Sequence, residues 1–214
     1  MDSGGIVAIR TGRWRDGLAD TLLAGLPRIV RAADEIRWRG QALMALGLAS
    51  ACYWTVLWLI DGPVAPLASG IFFVVSLAMG VVLASVTSHR RFTTALAHIR
   101  SPRAMVHETP ADALERHTRA SIIFVFAAVI LLVFDTFVSG VGGTAALLAG
   151  AGIGIGIVDR REARRWAQAE DDRGSRLYLM IRPGALLVRM GVTECFELPR
   201  AATADDGPGP FDLP

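Results

Sequence analysis

Charged residues are scarce in this sequence, and two residue types are missing altogether. There is no lysine and no asparagine, so all 22 basic residues are arginines, set against 20 acids. This usage is typical of a GC-rich bacterial coding sequence and needs no physical explanation. The net charge of +2 is too small to indicate nucleic-acid binding, which relies on extensive basic surfaces. No nucleic-acid partner is therefore expected.

Cysteine and the signature motifs of catalysis are equally scarce. Cys52 lies in an apolar run and Cys195 in the tail, so the pair predicts neither a disulfide framework nor a metal site. Both are interpreted as plain thiols. The chain contains no HExxH, GxSxG, Walker or CxxC motif. We therefore expect no cofactor and no catalytic residue, and predict a protein that is not an enzyme.

Apolar residues are abundant instead. They make up 52% of the chain, and the mean hydropathy of +0.43 is too high for a soluble domain. A helix needs about 20 apolar residues to cross the hydrocarbon core of a bilayer. The sequence predicts an all-α membrane protein with four transmembrane helices in two hairpins. The four spans are Ala42–Ile60, Val64–Val86, Ala120–Val138 and Val141–Val158.

Arginines are confined to one set of connections. The first 39 residues hold seven, residues 87–119 hold six, and the chain from Asp159 onward holds nine. The short links within each pair of spans hold none. Because arginine-rich segments stay on the cytoplasmic side, we predict a multi-pass protein of the bacterial inner membrane with both termini and the middle loop in the cytoplasm.

These features divide the chain into six segments. Residues 1–39 are predicted to form cytoplasmic amphipathic helices, residues 40–86 the first transmembrane hairpin, and residues 87–119 a cytoplasmic helical connection. Residues 120–158 form the second hairpin, residues 159–200 a cytoplasmic helix and a small β unit, and residues 201–214 a disordered tail.

An amphipathic pattern precedes the first span. Apolar residues recur at steps of three or four from Leu18 to Ile36, and Pro27 suits the first turn of a second helix. Such a segment binds anionic lipid in the headgroup plane, or else packs on the protein's own helices or on a second copy. The candidate headgroup residues are Arg13, Trp14, Arg15, Arg28, Arg31 and Trp38.

The middle connection is predicted to be a helical hairpin. The second span continues as helix through Ile99, and a new helix starts at Pro110, with Thr109 as its N-cap and Asp112 in its first turn. All four histidines lie in this region, but no two have the i, i+3 or i, i+4 spacing of helical metal ligands. A metal site would need His98 and His117 to meet across the hairpin, and no metal is predicted.

The pattern changes after the last span. Three short runs of β-forming residues, Leu177–Arg182, Ala185–Met190 and Val192–Leu198, predict a hairpin or a three-stranded meander. Three short strands are marginal by themselves, so the unit requires a partner surface on the same chain or on another.

Alternating glycines mark the fourth span. Gly150, Gly152, Gly154 and Gly156 do not form a nucleotide-binding GxGxxG motif, because no glycine follows three places after the second one. They form two overlapping pairs spaced four apart, which permit close contact between helices. We predict that these glycines serve helix packing or interaction with a partner, and the alternative is a bend in the helix or a strip that lines a channel.

Asp135 is the single acid within a span. Intramembrane carboxylates commonly mark ion or substrate pathways, but this one lies roughly 6 Å from the outer end of its span. Hydration at the outer rim is therefore the competing interpretation, and a possible ion pathway rests on this residue alone.

The function expected from these features is non-catalytic. We predict an accessory, scaffold or regulatory protein that acts at the cytoplasmic face. Through the glycine face and the cytoplasmic segments it is expected to bind a membrane protein partner or form a homo-oligomer, and it is expected to contact anionic membrane lipids. The alternative is a small oligomeric channel or transporter using Asp135. The span count is similar to that of small multidrug exporters, but the first span lacks the glutamate that those proteins use.

Overall fold

Four long helices dominate the computed structural model, which describes residues 28–61, 66–100, 106–108, 110–138, 143–181 and 194–199. All four are long and apolar enough to cross a membrane, as the sequence predicts for a multi-pass membrane protein. Each extends beyond its apolar run at the arginine-bearing end. The helices are α1 (Ala32–Asp61), α2 (Pro66–Ala97), α3 (Pro110–Val138) and α4 (Gly143–Arg173).

Local signals explain where two of these helices begin. Helix α3 starts at Pro110 with Asp112 in its first turn, as predicted. Helix α1 starts at Ala32 with Asp34 and Glu35 in its first turn. Acids at these positions stabilise a helix because its N-terminus carries a partial positive charge.

The chain divides into two compact units. The sheet unit comprises Met1–Glu35, Arg91–Arg119 and Trp166–Pro214, and the span unit comprises Ile36–Arg90 and Ala120–Arg165. Both units are assembled from segments that are distant in the sequence.

A mixed sheet forms the centre of the sheet unit. Its strands are β1 (Arg28–Arg31), β2 (Ile99–Arg100), β3 (Val106–His107), β4 (Ser175–Ile181) and β5 (Cys195–Pro199), in the order β2-β5-β4-β1-β3. The central strand β4 runs antiparallel to β1 and β5, while the two-residue strands β2 and β3 pair in parallel at the edges.

Apolar side chains from three strands pack together on this sheet. Ile29, Tyr178, Phe196 and Leu198 form a buried cluster, with Met180 packed against it. In the same unit, Phe92 and Trp166 meet edge to face, with ring centroids 5.2 Å apart.

Two predictions about secondary structure are wrong. The helix expected to begin at Pro27 is absent from residues 28–31, which form β1. The middle connection is not purely helical, because α2 ends at Ala97 and residues 99–100 and 106–107 are strands. Short apolar runs fit either a helix or a strand locally, and here pairing with β4 and β5 decides between them.

The predicted C-terminal β unit is present in part. Strands β4 and β5 match the first and third predicted runs, whereas the run Ala185–Met190 lies outside the described residues. The sheet is not confined to this region, since β1, β2 and β3 complete it from segments far upstream. The partner surface that three short strands require is thus supplied by the same chain.

Helix α4 is the most enclosed helix of the four. Half of its apolar stretch is buried inside the protein, against 11% for each of the other three. The other helices expose large apolar side chains, such as Ile60 at 73% and Phe126 at 67%. This exposure fits a lipid environment, because a soluble protein rarely exposes so continuous an apolar surface.

Candidate functional site: buried ion pairs and a glycine contact

The alternating glycines of α4 contact two different helices within the span unit. A methyl group built at Gly150 would overlap Oγ of Ser76 and the carbonyl oxygen of Phe73 on α2, and one built at Gly154 would lie 2.7 Å from the carbonyl oxygen of Leu77. These contacts are mostly with backbone atoms, so even the smallest side chain cannot be accommodated without movement of α2.

The other two glycines contact α1 in the same way. A methyl group on Gly152 would lie 2.8 Å from the carbonyl oxygen of Leu43 and 2.9 Å from Cα of Gly47, and one on Gly156 would lie 2.8 Å from the carbonyl oxygen of Gly40. One glycine pair thus packs on α2 and the other on α1. All four are buried within the chain itself.

A single guanidinium group bridges two carboxylates in the sheet unit. Arg116 donates from Nε and Nη2 to the two oxygens of Glu108, both at 2.9 Å, and from Nη1 and Nη2 to those of Glu35, at 3.1 and 2.7 Å. The side chains of Arg116, Glu35 and Glu108 are only 10%, 5% and 3% exposed. Such bidentate pairs combine strong hydrogen bonds with fixed geometry.

His117 completes this cluster, which we call the Arg116 cluster (Glu35, Glu108, Arg116 and His117). Its Nε2 lies 3.0 Å from Oε2 of Glu35 and 3.2 Å from Nη2 of Arg116. With a neutral imidazole the cluster carries one positive and two negative charges, and a proton on His117 would bring their sum to zero. The cluster joins the start of α1, the segment before α3 and the first turns of α3.

A second ion pair ties β1 to the end of α4. Arg31 donates to Oε2 of Glu170 from Nη2 at 2.8 Å and from Nε at 3.1 Å, while Oε1 of Glu170 accepts the backbone N–H of Leu177 at 3.1 Å. Burial by itself lowers the pKa of Arg31, but the hydrogen bond to Glu170 and the charges of Asp34 and Glu170 outweigh it and raise that pKa. Arg31 therefore stays charged.

The span unit contains a third buried pair. Arg39 on α1 donates from Nε and Nη2 to the two carboxylate oxygens of Asp159 on α4, at 2.7 and 2.8 Å. Both side chains are buried, and the helices approach closely here, since a methyl group on the neighbouring Gly40 would lie 3.0 Å from Cβ of Asp159. The pair therefore fixes the rotation of α4 about its axis relative to α1.

The candidate headgroup residues have varied environments. Arg28 lies in β1 with Nη1 3.9 Å from Oδ2 of Asp112, and its side chain is 42% exposed. Arg31 is bound to Glu170, and Trp38 is buried at 9%. Arg13, Trp14 and Arg15 lie outside the described residues.

Asp135 belongs to helix α3, within the apolar run Ala120–Val138 of the sequence. Its side chain lies outside the described part of the structure.

The two histidines that a metal site would need, His98 and His117, have different contacts in the described part of the structure. His98 contacts the carbonyl oxygen of Thr94 through Nδ1 at 3.0 Å, and His117 belongs to the Arg116 cluster. Among the described residues, no group of three or more histidine, cysteine or acidic side chains is placed to hold a metal ion.

The Arg116 cluster was missed by reasoning from the sequence. Glu35 and Arg116 are separated by 81 positions, so no local spacing indicates that they meet. Glu108 and His117 attract attention only as possible metal ligands. The sequence offered only a weak signal for this cluster. Glu35 lies in the stretch interpreted as amphipathic, and Arg116 lies one turn before the third apolar run.

Comparison of this chain with known protein families, curated proteins and solved structures finds no match. Its functional interpretation therefore rests on the contacts described above.

The thiol of Cys195 gives a direct test of the sheet. Burial raises its pKa to about 12, so a thiol-reactive maleimide finds only about one thiolate per thousand molecules at pH 9. In a Cys52→Ser variant, which removes the exposed second thiol, we expect no labelling of the folded protein and full labelling in SDS. Rapid labelling of the folded variant at pH 8 would contradict the buried position of β5.

The same shift gives a pH dependence with a definite sign. An unfolded chain ionises this thiol above about pH 8.5, whereas the folded protein keeps it neutral. Since the unfolded state alone loses the proton, the contribution of Cys195 to stability is complete below pH 8.5 and declines as the pH rises toward 12.

Proposed function

We propose that this protein is a non-catalytic membrane scaffold or regulatory subunit that acts through its sheet unit. The observation that carries the proposal is the Arg116 cluster, in which three separate stretches of chain are joined by buried bidentate ion pairs. Buried ion pairs contribute little net stability but favour one arrangement over others. A unit held in one shape suits the recognition of a partner.

The packing of the α4 glycines supports a different surface for partner contacts. The glycines of α4 were candidates for contact with a partner, but all four are covered by α1 and α2 of the same chain. We therefore propose that partner contacts involve the sheet unit and not the glycine face.

Location and orientation are part of the same proposal. Because arginines are confined to the termini and the middle connection, we propose a bacterial inner-membrane protein with these parts in the cytoplasm. A reporter enzyme that works only in the cytoplasm should be active when it is fused after Pro214. Activity of a periplasm-specific reporter at that position would contradict this orientation.

The test of function is the composition of the protein extracted from its own membrane. The wild-type protein is tagged, kept at native abundance, cross-linked in membranes and then extracted in mild detergent. We expect the mass of the extracted complex to exceed that of the 22.9 kDa protomer by a constant amount. That mass would come from a second copy or from a stoichiometric second chain. Recovery of lone protomers would contradict the proposal.

A matched pair of variants shows whether the sheet unit is responsible. Arg116→Met removes the centre of the buried cluster, and we expect it to abolish the added mass while the protein stays in the membrane. Arg119→Met removes an exposed arginine paired with Glu115 one turn away and should leave the complex intact. If both variants lost the added mass equally, the result would argue against a role of the sheet unit in binding the partner.

The second candidate is a small oligomeric channel or transporter, favoured by Asp135 as the single acid within the four apolar runs of the sequence. It predicts that Asp135→Asn reduces ion or solute flux in proteoliposomes. Unchanged flux in that variant would remove the support for a transport function.

A further inference from the structure

Helix α4 changes character abruptly after its apolar stretch. No charged residue occurs between Gly143 and Val158, and then four arginines follow within six positions. All four are exposed, and we call them the arginine strip: Arg160, Arg161, Arg164 and Arg165.

The strip occupies one face of the helix. At 100° per residue its four members span an arc of about 140°. The acids among them face the other way, since Asp159 is 2% exposed and Glu162 is 1% exposed. The helix thus separates charge by face, with the carboxylates inside and the guanidinium groups outside.

Contacts within the span unit hold the strip outward. The bidentate pair of Arg39 with Asp159 and the close approach of Gly156 to Gly40 set the rotation of α4. Among the described residues the strip arginines have no carboxylate partner, and Arg160 contacts only Sδ of Met44, at 3.8 Å. The next acid along α4 is Glu170, five positions beyond Arg165, and it is bound to Arg31.

This arrangement suits phosphate groups at a membrane surface. Guanidinium groups bind phosphate oxygens in a bidentate manner, and the strip begins two residues after the last apolar position of a helix long enough to cross a bilayer. Its length along the helix is roughly 8 Å, comparable to the depth of a headgroup layer. A nucleic acid is disfavoured by the net charge of only +2.

We propose that the arginine strip is a binding site for the phosphate headgroup of an anionic phospholipid. The inference is independent of the proposed function and of which leaflet the strip faces, because it requires only that α4 crosses the bilayer. It also differs from the headgroup residues predicted from the sequence, of which Arg31 is bound to Glu170 and Trp38 is buried.

The experiment is native mass spectrometry of the intact protein in detergent, titrated with phosphatidylglycerol or with phosphatidylcholine. We expect the wild-type protein to bind phosphatidylglycerol at least about tenfold more tightly. An arginine near an anionic surface contributes roughly fivefold in affinity, so Arg161→Gln with Arg164→Gln should remove most of this preference.

The control variant removes the same charge elsewhere. Arg119→Gln with Arg173→Gln eliminates two arginines that pair with Glu115 and Glu197, and it should bind phosphatidylglycerol like the wild type. Equal loss in both double variants would overturn the proposal, because net charge would then explain the preference. Unchanged binding in the strip variant would overturn it directly.

Two further arms cover misfolding and the source of the phosphate. Arg161→Lys with Arg164→Lys keeps the positive charge that membrane insertion requires but loses the bidentate geometry of arginine. We expect this variant to bind phosphatidylglycerol with intermediate affinity, and this test does not depend on whether the glutamine variant folds. Wild-type affinity in the lysine variant would show that positive charge of any kind suffices, and it would overturn the proposal. Soluble glycerophosphoglycerol should compete only weakly. Competition at the concentrations at which the lipid binds would assign the site to a free phosphate ester instead.

Discussion

Replacing Gly150 by alanine is expected to destabilise the span unit by about 2–3 kcal/mol, the upper range for overpacking a tight contact. The added methyl group overlaps Oγ of Ser76 and the carbonyl oxygen of Phe73, and it lies 2.9 Å from the backbone nitrogen of Leu77. Ser76 can rotate away, but the backbone of α2 can yield only if the two helices separate. The free energy of unfolding in mixed micelles with increasing SDS measures this loss.

Gly70→Ala is the matched control. Gly70 lies in α2, and a methyl group built there has no atom within 4 Å. Removing a flexible glycine from a helix interior is expected to leave stability unchanged or to increase it by up to about 1 kcal/mol. If the two variants lost equal stability, the loss at Gly150 could not be attributed to its close contact with α2.

The second large effect is expected at Arg116. Arg116→Met leaves the carboxylates of Glu35 and Glu108 buried without their shared guanidinium group, and removal of one partner of a buried ion pair costs about 3–5 kcal/mol. We expect the sheet unit to lose its cooperative unfolding transition, measured by thermal circular dichroism in detergent together with labelling of Cys195.

A rescue experiment separates charge from packing. If uncompensated charge causes the loss, Glu35→Gln with Glu108→Gln in the Arg116→Met background should recover part of the stability, because the buried carboxylates are gone. Arg119→Met, which breaks an exposed pair with Glu115, should change stability by no more than about 1 kcal/mol. Failure of the triple variant to recover any stability would indicate that the size and shape of Arg116 matter more than its charge.

The two variants act on different physical terms. Gly150 matters because nothing larger fits between backbones, so its effect depends on volume and should be insensitive to salt. Arg116 matters because two carboxylates are buried beside it, so its effect depends on charge. Burial raises the pKa of Glu35, and the hydrogen bonds from His117 and Arg116 outweigh this in the wild-type protein. Without Arg116, lowering the pH should lessen the defect of Arg116→Met because a protonated Glu35 is no longer a buried charge, and it should leave the defect of Gly150→Ala unchanged.

Parts of the fold were accessible from the sequence because they depend on local chemistry. The four apolar runs predict helices long enough for a membrane, and Pro110 with Asp112 predicts the start of α3. The four-residue spacing of the glycines indicates close helix contact. It does not indicate which helices make the contact, and the structure shows one glycine pair on α2 and the other on α1.

The sheet and the ion pairs were not accessible in this way. Residues 28–31 were assigned to a helix because Ile29 continues the spacing of apolar residues on both sides, yet they form β1 beside β4, almost 150 positions later. The partners of Arg116 and Arg31 lie as far apart as 81 and 139 positions. One sequence contains no periodic signal for pairs at such distances.

The sequence alone determined that four helices of this protein are apolar enough to cross a bilayer and that its arginines lie in the flanking segments. This is so because the free energy of transfer from water to hydrocarbon depends on each residue's own side chain. Tertiary structure alone decided that strands from the N-terminal segment, the middle connection and the C-terminal segment form one sheet. It also decided that Arg116 joins Glu35 to Glu108, and that the strip arginines of α4 point away from Asp159 and Glu162. These outcomes depend on which distant segments meet, and that is set by the sum of all contacts in the folded chain.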